Sequence, residues 1–386
     1  MKLLHTSDWH VGKSIRGHSR ADEHRAVLNE IVATATDEAV DLVVVAGDLY
    51  ETAAPSAESE TIVNQALLAL AEVAPVVAVA GNHDNPRRLA AIAPLLQLGR
   101  ITMATEPRSP SDGGLVAMDA GGVGVDIALV PFVSQRGMVR AAQLMANAAF
   151  ENAQTYADRM GRILDALCAG FSGDRVNLIV GHLFVPGGDA GGGERQAHLA
   201  DEYGVSTVDF PPTVQYVALG HLHRPQQMLG ATAIHYSGSP LQLDFGESQE
   251  AKQVNIVDLE PGLPAKVRPR MLEAGKPLRT VRGTLTDVVA HAATIDEADK
   301  ANTWFRVRLR ERSRSGLADE VRKALGAGVV DVRVETDEQS APKRSTRAQR
   351  SPRDLFADYL AERGVDDPAV EKRFIELYDQ QMEHDR

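Results

Sequence analysis

The chain has 386 residues, 44% of them hydrophobic, with a formal net charge of −12 at pH 7 and one cysteine. That length allows two domains or one large core with appendages, and no stretch approaches a transmembrane span. The acidic balance excludes a protein that grips nucleic acid by its overall field, so a nucleic-acid substrate would need a partner to supply much of the grip. The lone cysteine excludes an intrachain disulfide and fits a reducing cytoplasm.

Residues 1–100 read as alternating strands and helices. Short apolar runs at Lys2–Leu4, Leu42–Ala46 and Val76–Ala80 have the length of buried strands. An opening strand at that position is expected to leave no room for a signal peptide. Helical patterns lie near Arg20–Ala39, Ser56–Glu72 and Pro86–Leu98, long enough for crossovers between parallel strands. Glycines then punctuate strand candidates at Ile101–Ala104, Leu115–Asp119 and Val123–Pro131. A helical pattern follows from Met138 to Ala169, with Cys168 reading as core filler. Further strands are expected at Leu178–Val180, Val217–Leu219, Ile234–Tyr236 and Gln253–Leu259. Two sheets packed face to face with helices outside would satisfy this order. The Gly-rich stretch Pro186–Gly193 reads as a mobile segment beside the substrate path or as a plain connector.

After Pro261 the pattern changes. Strands at Leu278–Leu285, Trp304–Leu309 and Val329–Val334 alternate with helices around Asp287–Thr294 and Leu317–Leu325, a small β-α-β-α-β module. Within Trp304–Leu309 the apolar Phe305, Val307 and Leu309 alternate with Arg306, Arg308 and Arg310, which sets three arginines on one face. That row, followed by Arg312 and Arg314, suits DNA phosphates or a plain solvated face. Residues 336–350 read as a polar linker. Beyond them, Leu355, Phe356, Tyr359 and Leu360, then Val370, Phe374 and Leu377, mark two short amphipathic helices. Such a pair buries little surface by itself and needs another surface to cover it.

Five polar blocks end the apolar runs of the first 260 residues: Asp8-Trp9-His10, Gly47-Asp48, Gly81-Asn82-His83-Asp84, Gly181-His182 and Gly220-His221-Leu222-His223. Ligands of α/β sheets gather beyond the carboxyl ends of the strands. One such block could be turn chemistry; five in order point to a common site. Mixed carboxylate, amide and imidazole donors suit borderline or hard divalent cations, and a pair of cations suits phosphoryl transfer.

These blocks resemble the motifs of the calcineurin-like metallophosphoesterases. Met1 to Lys13, Ala46-Gly47-Asp48-Leu49-Tyr50, Ala80 to Asp84, Gly220 to Gln226 and Tyr236 to Gln242 resemble more closely the SbcD-type nucleases of bacterial double-strand-break repair. The resemblance covers about residues 1–260 and is looser beyond. It implies an α/β/β/α two-sheet sandwich at 1–260, a small α+β capping, DNA-binding domain at 261–335, the linker at 336–350, and a C-terminal helix pair at 351–386 that binds an SbcC-type coiled-coil ATPase. It implies two divalent metal ions, with manganese expected: one held by Asp8, His10, Asp48 and His223, the other by Asp48, Asn82, His182 and His221. Asp48 would bridge, and a water activated between the cations would attack phosphorus. His83 would act as general acid or help position the phosphate, with Asp84 orienting and charging its imidazole, capping the turn before Asn85-Pro86, or doing both.

The activity so implied is exonuclease action on duplex ends and endonuclease action on single-stranded or hairpin DNA, in repair and recombination. A homodimer formed through helices near residues 56–98, within a heterotetramer, is expected in the cytoplasm, at the nucleoid when on DNA. A phosphoesterase for small molecules or phosphoproteins, and a non-catalytic scaffold, are the alternatives from other classes. His5, His18, His24, His198, His235, His291 and His384 lie outside the motifs and are assigned to no metal.

Overall fold

The computed structural model describes residues 1–134, 156–194, 203–335, 352, 356–357, 359–360 and 368–384. The expected linker and the first part of the expected helix 138–169 fall outside the described residues; the second part is the helix Tyr156–Cys168. In chain order the strands are β1 (Lys2–Thr6), β2 (Ser14–Ile15), β3 (His18–Ser19), β4 (Leu42–Val45), β5 (Val76–Val79), β6 (Ile101–Ala104), β7 (Leu115–Ala120) and β8 (Val123–Val130). They continue with β9 (Val176–His182), β10 (Tyr216–Gly220), β11 (Gln226–Met228), β12 (Ala233–Tyr236), β13 (Lys252–Asp258), β14 (Lys266–Leu272), β15 (Leu278–Gly283), β16 (Trp304–Leu309) and β17 (Val329–Val334).

Two six-stranded sheets form the body, in the orders β14-β13-β1-β4-β5-β6 and β11-β12-β10-β9-β8-β7. Strand alternation assigns their faces. Leu3, Leu42, Val44, Val77 and Val79 meet Ile127, Leu129, Leu178, Val180 and Ala218 in a core between the sheets. The intervening residues face outward: Leu4, Val43, Val45 and Ala78 pack under the helices Ala21–Asp37, Ala57–Val73 and Pro86–Leu98. Ala128, Val130, Ile179 and Val217 pack under Tyr156–Cys168, where Cys168 fills core and burial pushes its thiol up to about 12. Because both faces of these strands are covered, they read as continuous apolar runs. The expected α/β/β/α sandwich is what forms.

β14 is a difference from the sequence reading, which gave 261–273 to the capping module. Its Lys266–Leu272 pairs antiparallel with β13 and extends the first sheet. Pro269 and the arginines at 268 and 270 conceal it, and those residues suit an edge strand, where proline removes no needed donor and charge discourages further pairing.

The module beyond it is a parallel sheet β15-β16-β17 with the helices Leu285–Ala293 and Leu317–Leu325 packed on its apolar face. Phe305, Val307 and Leu309 are buried as alternation requires. The arginine row is not free along its length. Arg306 lies over the Phe245 ring at 4.6 Å, and Arg308 faces Asp331 at 3.7 Å and Glu335 at 3.9 Å. In the C-terminal pair, Phe356 and Phe374 stack on each other, ring centroids 3.9 Å apart, while Tyr359, Val370 and Leu377 are exposed.

A small apolar contact of Ile15, Phe245, Leu278 and Trp304 joins the module to the sandwich. Glu23 organises its rim. One carboxylate oxygen accepts from Trp304 Nε1 at 2.8 Å, and the other accepts from Arg20 at 2.8 Å and from the Lys276 backbone N–H at 2.8 Å. Burial pushes the Glu23 carboxyl up, but these donors, Arg20 foremost, hold it below its ordinary 4.5. A depressed carboxyl stabilises the fold above its ordinary pKa and loses that contribution as pH falls through the folded value. Glu23→Ala should therefore cost about 3–5 kcal/mol by stranding a buried guanidinium. Denaturant unfolding at pH 7 and below pH 4 checks this: the gap between variant and wild type should narrow in acid, and a pH-independent gap would contradict it.

Candidate metal centre

All five polar blocks converge where the carboxyl ends of β1, β4, β5, β9 and β10 meet. Asp8, His10, Asp48, Asn82, His83, His182, His221 and His223 are all buried there. Positive φ at Asp8 (53°), His10 (46°), Asp48 (52°) and His221 (105°) turns these side chains back over the strand ends. Non-glycine residues adopt that region at a cost, which the surrounding hydrogen bonds must offset. Asp8 N–H donates to Gly47 O at 2.9 Å, and His10 N–H to Asp48 O at 3.0 Å. Glycine is required beside them: Gly47 has φ +92°, and a Cβ at Gly81 would collide with the Asp48 carboxylate and backbone.

Two groups of donors share Asp48. On one side, ligand atoms of Asp8, His10 and His223 lie within 4.8 Å of one another. His10 Nε2 has no hydrogen-bond partner among the described residues and stands 3.4 Å from Asp48 Oδ2. On the other side, Asn82 Oδ1 lies 2.9 Å from both His182 Nε2 and His221 Nδ1, with Asp48 Oδ2 3.5 Å from His182 Nε2. The His182 ring is fixed by donation from Nδ1 to Ala46 O at 2.8 Å, which leaves Nε2 facing the cluster.

The electrostatics favour positive charge. Burial lowers the pKa of His182, yet Asp48 and Asp8 raise it to about 9. His223 rises to about 8, against burial, through Glu247, Glu194 and Asp8. Burial and the neighbouring Asp48 push Asp8 up, whereas Asp48, opposed by its own burial, is held well below its ordinary value by His182, His83 and His10. A cluster that draws protons onto buried imidazoles, with the His10 Nε2 aimed at a carboxylate, has the donor set and the charge to hold divalent cations.

Sequence reasoning missed the carboxylates behind the clustered imidazoles. Glu51 accepts from His10 Nδ1 at 3.0 Å and pairs with Lys13 at 2.7 Å, and its carboxyl is drawn to about 2 by His10 despite burial. Glu247 lies 3.2 Å from His223 Nδ1, and Glu194 accepts from the His223 backbone N–H at 2.9 Å. Glu51 and Glu247 fix the orientation of the two rings and leave each Nε2 facing the cluster, while Glu194 holds the His223 backbone. Glu51 could have been suspected from its place three residues after Asp48; Glu194 and Glu247 carry no local signal.

Of the two roles open to Asp84, its contacts are those of a cap on loop backbone. Its carboxylate accepts backbone N–H groups of Leu49, Tyr50 and Gly81 at 3.2, 3.1 and 2.8 Å, tying the second motif to the third, and burial with Asp48 raises it to about 6. The His83 ring is oriented instead by the Glu51 carbonyl, 2.7 Å from Nδ1. A carboxylate ringed by three amide donors has no reason to turn toward an imidazole that a carbonyl already holds. His83 also groups with His10 and Asp48 within 4.8 Å, so it borders the metal positions.

Comparison with known proteins agrees with this geometry. The model of the calcineurin-like phosphoesterase family matches residues 1–225, and that of the type 5 capsule protein repressor C-terminal domain matches residues 274–363. The SbcD component of the SbcCD nuclease of Bacillus subtilis is 32% identical over 398 residues, covering 98% of this chain and 97% of the relative. The same components from Rhodobacter capsulatus and Escherichia coli K12 are 32% and 28% identical, covering 73% and 75% of this chain and 71% and 73% of their own. With its motifs gathered at one seam and its similarity running nearly end to end, the chain belongs to the calcineurin-like phosphoesterases, in the branch of the SbcD nucleases.

Proposed function

We propose that the chain is a metal-dependent DNA nuclease and the catalytic component of an SbcCD-type complex. The convergence of Asp8, His10, Asp48, Asn82, His182, His221 and His223 around one buried carboxylate carries this reading. Asp8, His10, Asp48 and His223 would hold one divalent cation and Asp48, Asn82, His182 and His221 the other, with manganese the metal we favour. Bound there, the pair would supply an activated water and neutralise charge on the phosphodiester.

The protein's own groups set the rest. Asn82 contributes a neutral oxygen, which limits negative charge where a phosphate must enter. His83 donates Nδ1–H to the Glu51 carbonyl, so a second proton on Nε2 is the one it can give to the departing sugar oxygen. Glu51 and Glu247 keep the His10 and His223 rings from rotating away.

A net charge of −12 is poorly suited to holding DNA alone, which supports a partner that supplies the grip. The exposed Tyr359, Val370 and Leu377 of the C-terminal helices support docking on a coiled-coil ATPase of the SbcC type. Leu68, Leu95 and Leu98, exposed on the helices Ala57–Val73 and Pro86–Leu98, support a homodimer within a heterotetramer. Cytoplasmic residence fits such partners.

Two substitutions separate metal binding from proton transfer. Asp48→Asn should lose bound metal and DNA cleavage together, since both positions share that carboxylate. His83→Ala should keep its metal content while turnover falls on the order of a hundred- to ten-thousand-fold. Elemental analysis beside plasmid and hairpin cleavage reads both, and metal loss in His83→Ala would make His83 a ligand.

The docking reading makes a separate prediction. Val370→Glu combined with Leu377→Glu puts charge on the exposed stripe while keeping Phe356, Phe374 and the Tyr359 ring stacked on Phe356. Co-purification with the ATPase should fall sharply while metal-dependent nicking of single-stranded DNA persists. Unchanged co-purification would place the docking surface elsewhere.

A further inference from the structure

The segment from Ser239 to Lys252 lies between the capping module and one half of the metal centre, and it touches both. On the module side, the Phe245 ring is buried against Ile15, Leu278 and Trp304 under the Arg306 guanidinium, 4.6 Å from the ring centroid. Gln242 reinforces that seat: its Oε1 accepts from the Leu278 backbone N–H at 2.7 Å, and its carbonyl accepts from Arg20. Two residues after Phe245, the wholly buried Glu247 faces the opposite way. Its Oε1 stands 3.2 Å from His223 Nδ1, and its Oε2 accepts from Lys252 Nζ at 2.7 Å and from the Leu243 backbone N–H at 3.0 Å. Lys252 Nζ in turn donates to His223 O at 3.1 Å.

We infer that Glu247 is a positioning residue for His223, and that through Phe245 and Arg306 the seat of the capping module sets how well His223 can serve its metal. The short 3-10 turn Phe245–Glu247 links the two sides, and within it Gly246 packs against the backbone of Gly191 and Gly192. Such a turn has little freedom to absorb a shift of Phe245 without passing it to Glu247. Glu247, unlike Glu51, is tied to a separate module, so the two imidazoles on the same metal are held from different places. His182 and His221 are braced by Ala46 O and Asn82, outside this segment. The coupling is therefore selective: it reaches the position shared by Asp8, His10, Asp48 and His223, and not the one shared by Asn82, His182 and His221.

This inference rests on the reading of His223 as a metal ligand, and the test keeps the two apart. Mn2+ titration of the full-length protein by calorimetry should show two binding events in the wild type. Glu247→Gln should weaken one of them by about 10–100-fold and spare the other. Arg306→Ala should weaken the same event by a few-fold, Arg306→Lys should restore it by keeping a cation over the ring, and the double variant should be no weaker than Glu247→Gln alone. Thermal unfolding of the metal-free variants checks folding. If Glu247→Gln does not fold, Phe245→Leu replaces it and should match Arg306→Ala. The inference is overturned if Arg306→Ala leaves both events unchanged, if it weakens both equally, or if its effect adds fully to that of Glu247→Gln. A wild type that binds no Mn2+ overturns the metal reading itself.

Discussion

Everything at the working end of this protein depends on one constraint: two carboxylates, an amide and four imidazoles share a buried seam where two sheets meet. Burying an ionised group without a partner costs several kcal/mol, and here the groups are mutual partners. The apolar layer between the sheets makes that tolerable. Leu3, Leu42, Val44 and Val77 on one sheet and Ile127, Leu129, Leu178 and Val180 on the other are fully or almost fully buried. At about 1.5–3 kcal/mol for each such side chain, the layer holds the strand ends together against the polar cluster.

The cluster is stabilised by direction as well as by charge. Left-handed backbone at four of the motif residues aims their side chains inward, and Asp84 fastens the loops after β4 and β5 through three backbone donors. Ser7 adds a bond of 2.6 Å to Asp8 Oδ2 and one of 2.8 Å to Ser237, across the gap between the sheets. Behind the site His5 spans the same gap, from Tyr216 OH at 2.8 Å to the Leu219 carbonyl at 3.1 Å, and burial lowers it to about 3, so it is a neutral strut. The site is thus preorganised by polar contacts that run from sheet to sheet, and carboxylates from two other segments, Glu51 and Glu247, orient the His10 and His223 rings.

What could be read from the sequence follows from this arrangement. The residues that converge at the site were legible because each sits directly after a buried apolar run, so the local pattern marks the strand ends that meet there. The two-sheet fold was legible for the same reason. β14 was not, because an edge strand with Pro269 flanked by arginines carries no alternating apolar signal. Glu194 and Glu247 were invisible because they reach His223 from loops 29 and 24 residues away in sequence, through tertiary packing alone. Asp84 had two roles open in the sequence, pairing with the adjacent His83 or capping a turn, and local pattern could not choose between them because the three backbone N–H groups it accepts come from two separate loops. Phe356 and Phe374 were both read as outward-facing stripe residues, and each proves to be the other's cover.

The central claim is that one buried carboxylate is shared by two cation positions. Crystals soaked in Mn2+ and measured for anomalous scattering test it most directly. The account predicts two peaks flanking Asp48, one enclosed by Asp8, His10 and His223 and the other by Asn82, His182 and His221. A single peak, or two peaks with Asp48 bound to only one of them, would contradict it.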